Sequence, residues 1–357
     1  MTDTPRGADD GAAPTILVTG GAGFFGDLFK RHMLELGYIC VSIDMKPDPY
    51  SHPRLRSIQG DIRDADLLTQ LGQRYDFLVI YHFAAMLAHA IKDKKVLWAS
   101  NVDGTRNIAR MAARFRIPKV IFTSSNCLWA ENHDRPVTEM DAPRPVEIYG
   151  RSKLAAERIL LSRDDFVTVV LRCPTIIDSG RLGLLAILFE FIDAGKRVWI
   201  VGAGDNRLQF IYAQDLIDAC VRAADHGESA VFNVGSDDVK TLRSVYAHVI
   251  ERAQTGARLA SLPRRTTLLA LKLAYWLKLS PLGPYQYRMI AGNFIFDTTK
   301  IRDTLGWKPT LTDDEMLYRG YRFFHDHRGE IVADSNDLSP HKQSAKMGVI
   351  RVLKWIS

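Results

Sequence analysis

Two hydrophobic rhythms alternate along the chain. Short, mostly apolar runs at residues 16–18, 38–43, 77–81, 120–125 and 166–171 read as buried strands. Between them, apolar residues recur three and four apart. Leu28, Phe29, Met33 and Leu36 do so in the first interval, residues 65–71 in another, and a long helix runs from Asn101 to just before Pro118. Regular strand–helix alternation predicts an α/β protein with a doubly wound parallel sheet. Near residue 180 the rhythm changes. A helix over 184–194, a strand over 197–201, the glycine turn Gly202-Ala-Gly204, a strand over 208–212 and a helix from Asp215 precede a return to strand at 231–234. The rest is mainly helical, so residues 181–330 are expected to form a smaller mixed part interleaved with the sheet.

The join between the first strand and first helix carries chemistry. Gly20, Gly23 and Gly26 stand at G-x-x-G-x-x-G spacing between them. Glycine permits a tight turn, a close backbone approach to a diphosphate and close packing of helix on strand. The free N–H groups and positive dipole end of the helix then face the anion. Asp44 ends the second strand, 18 residues after Gly26, where a carboxylate accepts from the adenosine ribose hydroxyls and repels a 2′-phosphate. The pattern therefore predicts NAD rather than NADP, bound by a Rossmann-type domain over residues 14–180. Ala84 and Ala85, at the end of the run over 77–81, are small enough for a dinucleotide to lie close.

Tyr149 and Lys153 lie four apart, hence on one face of a helix that follows the serine-bearing strand end at Ser125. A phenol ordinarily titrates near 10, too high for a base at neutral pH. A lysine ammonium and a positive nicotinamide would lower it. Tyr149 would then take the proton of a substrate hydroxyl, Ser125 would orient the same oxygen, and Lys153 would also hold the nicotinamide ribose.

Composition narrows the classes. With 46% hydrophobic and 25% charged residues among 357, the chain reads as a soluble globular protein. The net charge of +6 is a small excess, and no basic run is interleaved with aromatics, which argues against nucleic acid as a partner. Cys40, Cys127, Cys173 and Cys220 form no metal-ligand spacing, so reduced thiols, no metal and a cytoplasmic location are expected. Residues 1–13 read as a disordered polar tail rather than a signal peptide, and no run of about 18 apolar residues predicts a spanning helix. Residues 266–279 and the tail over 331–357, whose last stretch 347–357 is apolar and basic, admit two readings. One is a core or subunit-interface helix with a docked terminus. The other is peripheral contact with a membrane surface.

Taken together the motifs resemble the extended short-chain dehydrogenase/reductase family, the NAD-dependent epimerases and dehydratases, with the 3β-hydroxysteroid dehydrogenase-like branch also close. They are Thr19-Gly-Gly-Ala-Gly-Phe-Phe-Gly26, Asp44, Gly60-Asp-Ile-Arg-Asp64, His82-Phe-Ala-Ala85, Asn101-Val-Asp-Gly-Thr105, Thr123-Ser-Ser125, Tyr149-Gly-Arg-Ser-Lys153 and Arg172-Cys-Pro174. Phe210-Ile-Tyr-Ala-Gln-Asp-Leu216, Phe232-Asn-Val-Gly235 and Leu305-Gly-Trp-Lys-Pro309 extend the match to roughly residues 14–325.

The resemblance implies a role for each matching position. Gly20, Gly23 and Gly26 hold the diphosphate with backbone contacts from Phe24 and Phe25. Asp44 takes the ribose, and Asp61 and Ile62 border the adenine. Ala84, Ala85, Asn101 and Pro174 line the cofactor, which Tyr149 and Lys153 also touch. Ser125, Tyr149 and Lys153 are the catalytic set. Met86, Asn126, Thr175 and Arg207 face a substrate, and a homodimer is implied.

The chain also departs from the sugar-nucleotide pattern. Asn126-Cys127 replaces the Asp-Glu of dehydratases, which argues against elimination of water. Arg207 lies one residue early and Gln209 replaces an acid, as in the hydroxysteroid branch; Thr175 replaces a substrate-binding Asn. The leading expectation is a sugar or sugar-nucleotide epimerase working through a transient ketone. The alternatives are a net dehydrogenase of a hydroxysteroid-like or lipid alcohol and a non-catalytic NAD-sensing protein.

Overall fold

The computed structural model describes residues 13–87, 93–129, 135–183, 185–277, 289 and 292–333. The strands are β1 (Thr15–Thr19), β2 (Ile39–Asp44), β3 (Leu55–Gln59), β4 (Val79–His82), β5 (Lys119–Ser125), β6 (Val167–Cys173), β7 (Thr175–Ile177), β8 (Arg197–Val201), β9 (Phe210–Tyr212), β10 (Ala230–Asn233) and β11 (Arg258–Leu262). The helices are α1 (Phe24–Glu35), α2 (Ala65–Arg74), α3 (Lys94–Trp98), α4 (Gly104–Arg114), α5 (Ile148–Leu161), α6 (Leu185–Asp193), α7 (Ala213–Asp225), α8 (Leu242–Ala253), α9 (Arg264–Trp276), α10 (Thr299–Leu305), α11 (Asp313–Asp326) and α12 (Arg328–Ala333).

Seven strands form one sheet in the order β10-β6-β5-β4-β1-β2-β3, with every neighbouring pair parallel. Successive side chains on a strand point to opposite faces, and both faces are covered. Ile16 and Val18 join Phe29 and Met33 of α1 and Leu216 and Cys220 of α7 on one side. Leu17 joins Leu68 of α2, Ile108 of α4 and Leu160 of α5 on the other. This is the doubly wound Rossmann-type architecture read from the alternation of runs. The order in which strands are added reverses at β1, from β1-β2-β3 on one side to β4-β5-β6 on the other, so the crevice at the carboxyl ends of β1 and β4 is where this topology places a ligand.

Beyond β6, short parallel pairs β7–β9 and β8–β11 accompany the helices, and β10 returns to edge the main sheet. Phe189 of α6, Val245 of α8, and Leu317, Tyr321 and Phe324 of α11 make a separate apolar cluster there. β11 carries no apolar run and is not apparent from sequence pattern.

Three helical segments differ from expectation, besides the unforeseen short strands β3, β7 and β11. The buried stripe of α1 is Phe24, Phe25, Phe29, Met33 and Leu34, while Leu36 lies past the helix end and is exposed. Phe24 and Phe25 extend the helix toward the glycines, which shifts its apolar face one turn earlier. The helix expected to start at Asn101 begins at Lys94, and Asn101 sits in a π-helical turn, Ala99–Asp103, that joins α3 to α4. Finally, α9 is not a core helix. None of its residues is buried, and Leu269, Leu273 and Trp276 line one exposed face. Residues 1–12 and the terminal stretch 347–357 lie outside the described residues.

Candidate active site

The glycine turn closes on itself and on β4. Gly20 has φ +75°, and a Cβ there would fall 2.8 Å from the Ala84 amide nitrogen, so both the conformation and the space require glycine. Its N–H donates to Ile43 O at 2.8 Å and its carbonyl accepts from Gly23 N at 3.0 Å. At Gly26 a Cβ would stand 2.2 Å from the Gly20 oxygen, which explains the tight seat of α1 on the turn. No side chain caps α1, leaving the N–H groups of its first turn, Phe24 and Phe25 among them, for an anion. The Asp44 carboxylate stands beside the turn, accepting from Ala22 N at 3.1 Å and Lys46 N at 3.0 Å. A cradle that excludes any Cβ, an uncapped helix start and an adjoining carboxylate fit the diphosphate and ribose of a dinucleotide.

Lys30 of α1, which the sequence did not single out, is fully buried behind the turn. Its Nζ donates to Gly21 O at 2.9 Å and pairs with Asp48 at 2.6 Å and Asp27 at 2.9 Å. A lysine on a helix ordinarily reads as solvated, and nothing in the local spacing marks this one as inward.

A chain of hydrogen bonds links the turn to the helix bearing Tyr149. Ala84 N donates to Thr19 Oγ1 at 3.2 Å, and Thr19 Oγ1 lies 2.7 Å from His82 Nδ1. His82 Nε2 lies 2.9 Å from Thr105 Oγ1, which donates to Asn101 O at 2.6 Å. Because Thr105 spends its proton on that carbonyl, it accepts from Nε2–H, and His82 Nδ1 accepts from Thr19. Burial, with the nearby Lys153 charge, pushes the His82 pKa down to about 3, so the ring is neutral. The Asn101 amide clamps the Met86 backbone, accepting from its N–H at 2.7 Å and donating to its O at 3.0 Å. It also donates to Ser152 Oγ at 3.0 Å, and Ser152 Oγ donates to Tyr149 O at 2.7 Å.

Tyr149 and Lys153 share the first turns of α5, and Ser125 ends β5, its Oγ accepting from Cys127 N at 3.2 Å. Ser125 faces Cys173 across the β5–β6 register. The helix is fastened to β6 by a buried fork, Arg172 Nε to Glu157 Oε1 at 3.1 Å and Nη2 to Oε2 at 2.7 Å. Lys153 is buried with its Nζ 4.0 Å from the Phe122 ring centre, and burial pushes its pKa down to about 8. Burial holds the Tyr149 phenol above its ordinary range, Cys127 and Cys173 add to the rise, and the Arg181 guanidinium opposes it. Desolvation outweighs the lowering expected from a lysine partner. The sequence reading passed over Arg181, whose positive charge opposes that rise. Its Nε and Nη1 are shut off from solvent, with no hydrogen-bond partner among the described residues.

The other expected residues fall as follows. Burial raises the Asp61 pKa, but Arg63, donating from N at 2.8 Å and Nε at 2.8 Å, outweighs it and holds the carboxylate below its ordinary value. Ile62 is buried against α4, and its carbonyl accepts from Asn107 Nδ2 at 3.2 Å. Ala85 follows Ala84 at the β4 end, partly buried. Asn126 and Pro174 line a narrow apolar crevice with Trp129, Val137, Phe294 and Phe296. Thr175 opens β7 opposite Phe210. The Arg207 side chain donates to Val239 O at 2.6 Å, and its carbonyl accepts from Phe294 N at 2.9 Å, supporting the crevice wall. Gln209 is a buried brace that donates to Ser236 O at 2.7 Å and accepts from Phe296 N at 2.8 Å.

The model of the NAD-dependent epimerase/dehydratase family matches residues 16–235, and the chain belongs to that family, within the extended short-chain dehydrogenases/reductases. It is an NAD-dependent enzyme of this class. A UDP-glucose 4-epimerase of Lacticaseibacillus casei is 27% identical over 90% of this chain and 100% of its own length. A 3 beta-hydroxysteroid dehydrogenase/Delta 5-->4-isomerase of Mycobacterium tuberculosis is 30% identical over 59% of this chain and 60% of its own. The crystal structure of the Bordetella bronchiseptica enzyme WbmG in complex with NAD superposes with a TM-score of 0.74, covering 89% of this chain and 96% of that one at 20% identity.

Proposed function

We propose that the chain is a sugar or sugar-nucleotide epimerase that inverts a secondary alcohol through a transient ketone. Bound NAD supplies an acceptor for the hydride of the alcohol carbon and returns it to either face. The chain's own residues handle the proton and the oxygen. Tyr149 Oη takes the hydroxyl proton as the carbon–oxygen double bond forms, and gives it back on return. Ser125 Oγ hydrogen-bonds the same oxygen. Lys153 stabilises the phenolate and holds the nicotinamide ribose, while Asn126, Thr175, Met86 and Arg207 border the substrate.

The observation that carries this reading is the joining of the glycine turn to the Tyr149 helix by one hydrogen-bonded chain from Ala84 to Ser152. The full-length epimerase relative supports the choice of reaction. The test is to purify the protein, assay for retained NAD(H), and supply UDP-sugars, free uronates and hydroxysteroids. Isomer formation without net NADH is expected. Stoichiometric NADH with a ketone product would replace the epimerase with the second reading, a dehydrogenase of a lipid alcohol.

That second reading is favoured by α9, where Leu269, Leu273 and Trp276 are exposed beside Arg264, Arg265 and Lys272. No helix among the described residues is long and apolar enough to cross a membrane. We place the enzyme in the cytoplasm, in carbohydrate metabolism, as a homodimer with α9 touching the membrane surface. Light scattering at the mass of two chains and co-sedimentation with anionic liposomes are the expected results; a monomer, or protein left in the supernatant, removes the corresponding assignment.

A further inference from the structure

Gln209 stands just ahead of β9 and is 4% exposed, so its amide must find partners inside the fold. It uses both ends. Nε2 donates to Ser236 O at 2.7 Å, and Oε1 accepts from Phe296 N at 2.8 Å. The backbone runs along the same line: Gln209 N donates to Phe294 O at 3.0 Å, and Phe294 N donates to Arg207 O at 2.9 Å. One side chain thereby ties Phe294, Ile295 and Phe296, which line the crevice with Asn126, to the turn after β10. That turn is anchored in its own right. Ser236 N donates to Phe210 O at 2.9 Å, and Ser236 Oγ donates to Asp313 Oδ1 at 2.5 Å. The fit around the amide is close, since a Cβ at Gly235 would stand 2.3 Å from Gln209 Cδ.

This pairing demands an amide. Ser236 O is an acceptor and Phe296 N a donor, so the group between them must donate at one end and accept at the other. A carboxylate only accepts. In this place it would set an oxygen against the Ser236 carbonyl and bury a charge. The charged groups around it are already engaged: Asp313 with Ser236 and Phe210, Arg207 with Val239 O at 2.6 Å, and Lys240 with Asp314 at 2.7 Å. We propose that Gln209 is a positioning residue for the substrate, its amide fixing the crevice wall of Phe294 and Phe296 that the substrate meets beside Asn126. This rests on the reading above in which Asn126 borders the substrate, and it names the residue that shapes that border.

The full chain loaded with NAD carries its own reporter. Cys40, Cys173 and Cys220 are buried, whereas Cys127, next to Asn126, is partly exposed and packs against the apolar cluster containing Leu208, Phe210 and Phe294. Iodoacetamide should alkylate Cys127 first, read by peptide mass spectrometry, and silence of the other three thiols shows that a variant is folded. Gln209→Glu should react at Cys127 about tenfold faster than wild type at pH 9, the scale of one lost buried hydrogen bond. At pH 5 it should match wild type, because burial raises the carboxyl and a protonated carboxyl again donates at one oxygen and accepts at the other. Taking the ratio to wild type at each pH cancels the titration of the thiol and of Asp313. Gln209→Met lacks both bonds at every pH and should react fast throughout. UDP-glucose, glucuronate and pregnenolone are the substrate probes. One of them should slow alkylation of the wild type at least fivefold, and Gln209→Met should need at least fivefold more of it while keeping NAD affinity within threefold.

A Gln209→Met rate equal to wild type overturns the proposal. So does a Gln209→Glu rate that exceeds wild type by the same factor at both pH values, which would make the residue a matter of packing alone. Protection of Cys127 by none of the three probes detaches the crevice from the substrate and overturns it as well. Failure of the catalytic reading is separately visible: Tyr149→Phe would keep its turnover while the pH-dependent labelling of Gln209→Glu persisted.

Discussion

Tyr149 and Asp44 carry separable tasks, and single-atom changes divide them. Tyr149→Phe deletes one oxygen and leaves the ring, the Ser152 bond to Tyr149 O and the rest of α5 in place. NAD binding should stay within about threefold while turnover falls by about 10²–10⁴, the range for losing a positioned acid–base group. Fluorescence titration and steady-state assay check both, and retained turnover would remove Tyr149 from its role. At Asp44 the carboxylate already accepts two backbone N–H groups beside the glycine turn, from Ala22 and Lys46. Asp44→Asn keeps an acceptor but removes the charge that repels a 2′-phosphate. The ratio of kcat/KM for NAD over NADP should fall at least tenfold, and an unchanged ratio would mean that selectivity resides elsewhere.

The glycine turn is held from behind by an element that its own spacing does not reveal. Lys30 projects from α1 into the core and ties Gly21 O to Asp27 and Asp48, whose side chains are themselves nearly buried. Removing one member of such a cluster strands the others without a counter-charge. Lys30→Met should cost about 3–5 kcal/mol in denaturant unfolding, the range for breaking a buried ion pair. It should also weaken NAD binding by freeing the Gly21 carbonyl. Adding Asp48→Asn should recover part of the stability, and a purely additive loss would show that the two do not act as a pair. The same logic marks the limit of reading this element from sequence. Gly20, Gly23 and Gly26 are legible because their constraint is local, a turn and a close approach. The inward path of Lys30 depends on Asp48, contributed by the segment after β2, and no local pattern encodes it.

Across the whole molecule, the legible features are those set by short-range periodicity: the parallel sheet and the strand ends bearing Asp44 and Ser125. Arg181 escaped because its relation to Tyr149 exists only once β7 and α5 are folded, and β11 escaped because Arg258–Leu262 lacks an apolar run. A third long-range feature joins the later part of the chain to the sheet. Asp313, the first residue of α11, accepts from Phe210 N at 3.0 Å in β9 and from Ser236 Oγ at 2.5 Å after β10. Its Oδ2 is buried with no partner among the described residues, and burial pushes its pKa up to about 7 against the relief of those bonds. The neighbouring Asp314 pairs with Lys240 at 2.7 Å and lies 3.5 Å from His248 Nδ1. A carboxyl whose folded pKa is raised binds a proton more tightly folded than unfolded, so stability falls as pH rises from its unfolded value through the folded one. The Asp313 contribution is therefore fully present below about pH 4 and lost by about pH 7, on the order of 4 kcal/mol at most. Asp314, held below its ordinary value by Lys240 despite its burial, acts with the opposite sign and in a lower window. Asp313→Asn keeps an acceptor for Phe210 and Ser236 and removes the titration. Its melting temperature should vary less than wild type between pH 5 and pH 8 and exceed wild type at pH 8, and parallel curves for the two proteins would dismiss Asp313 as the source.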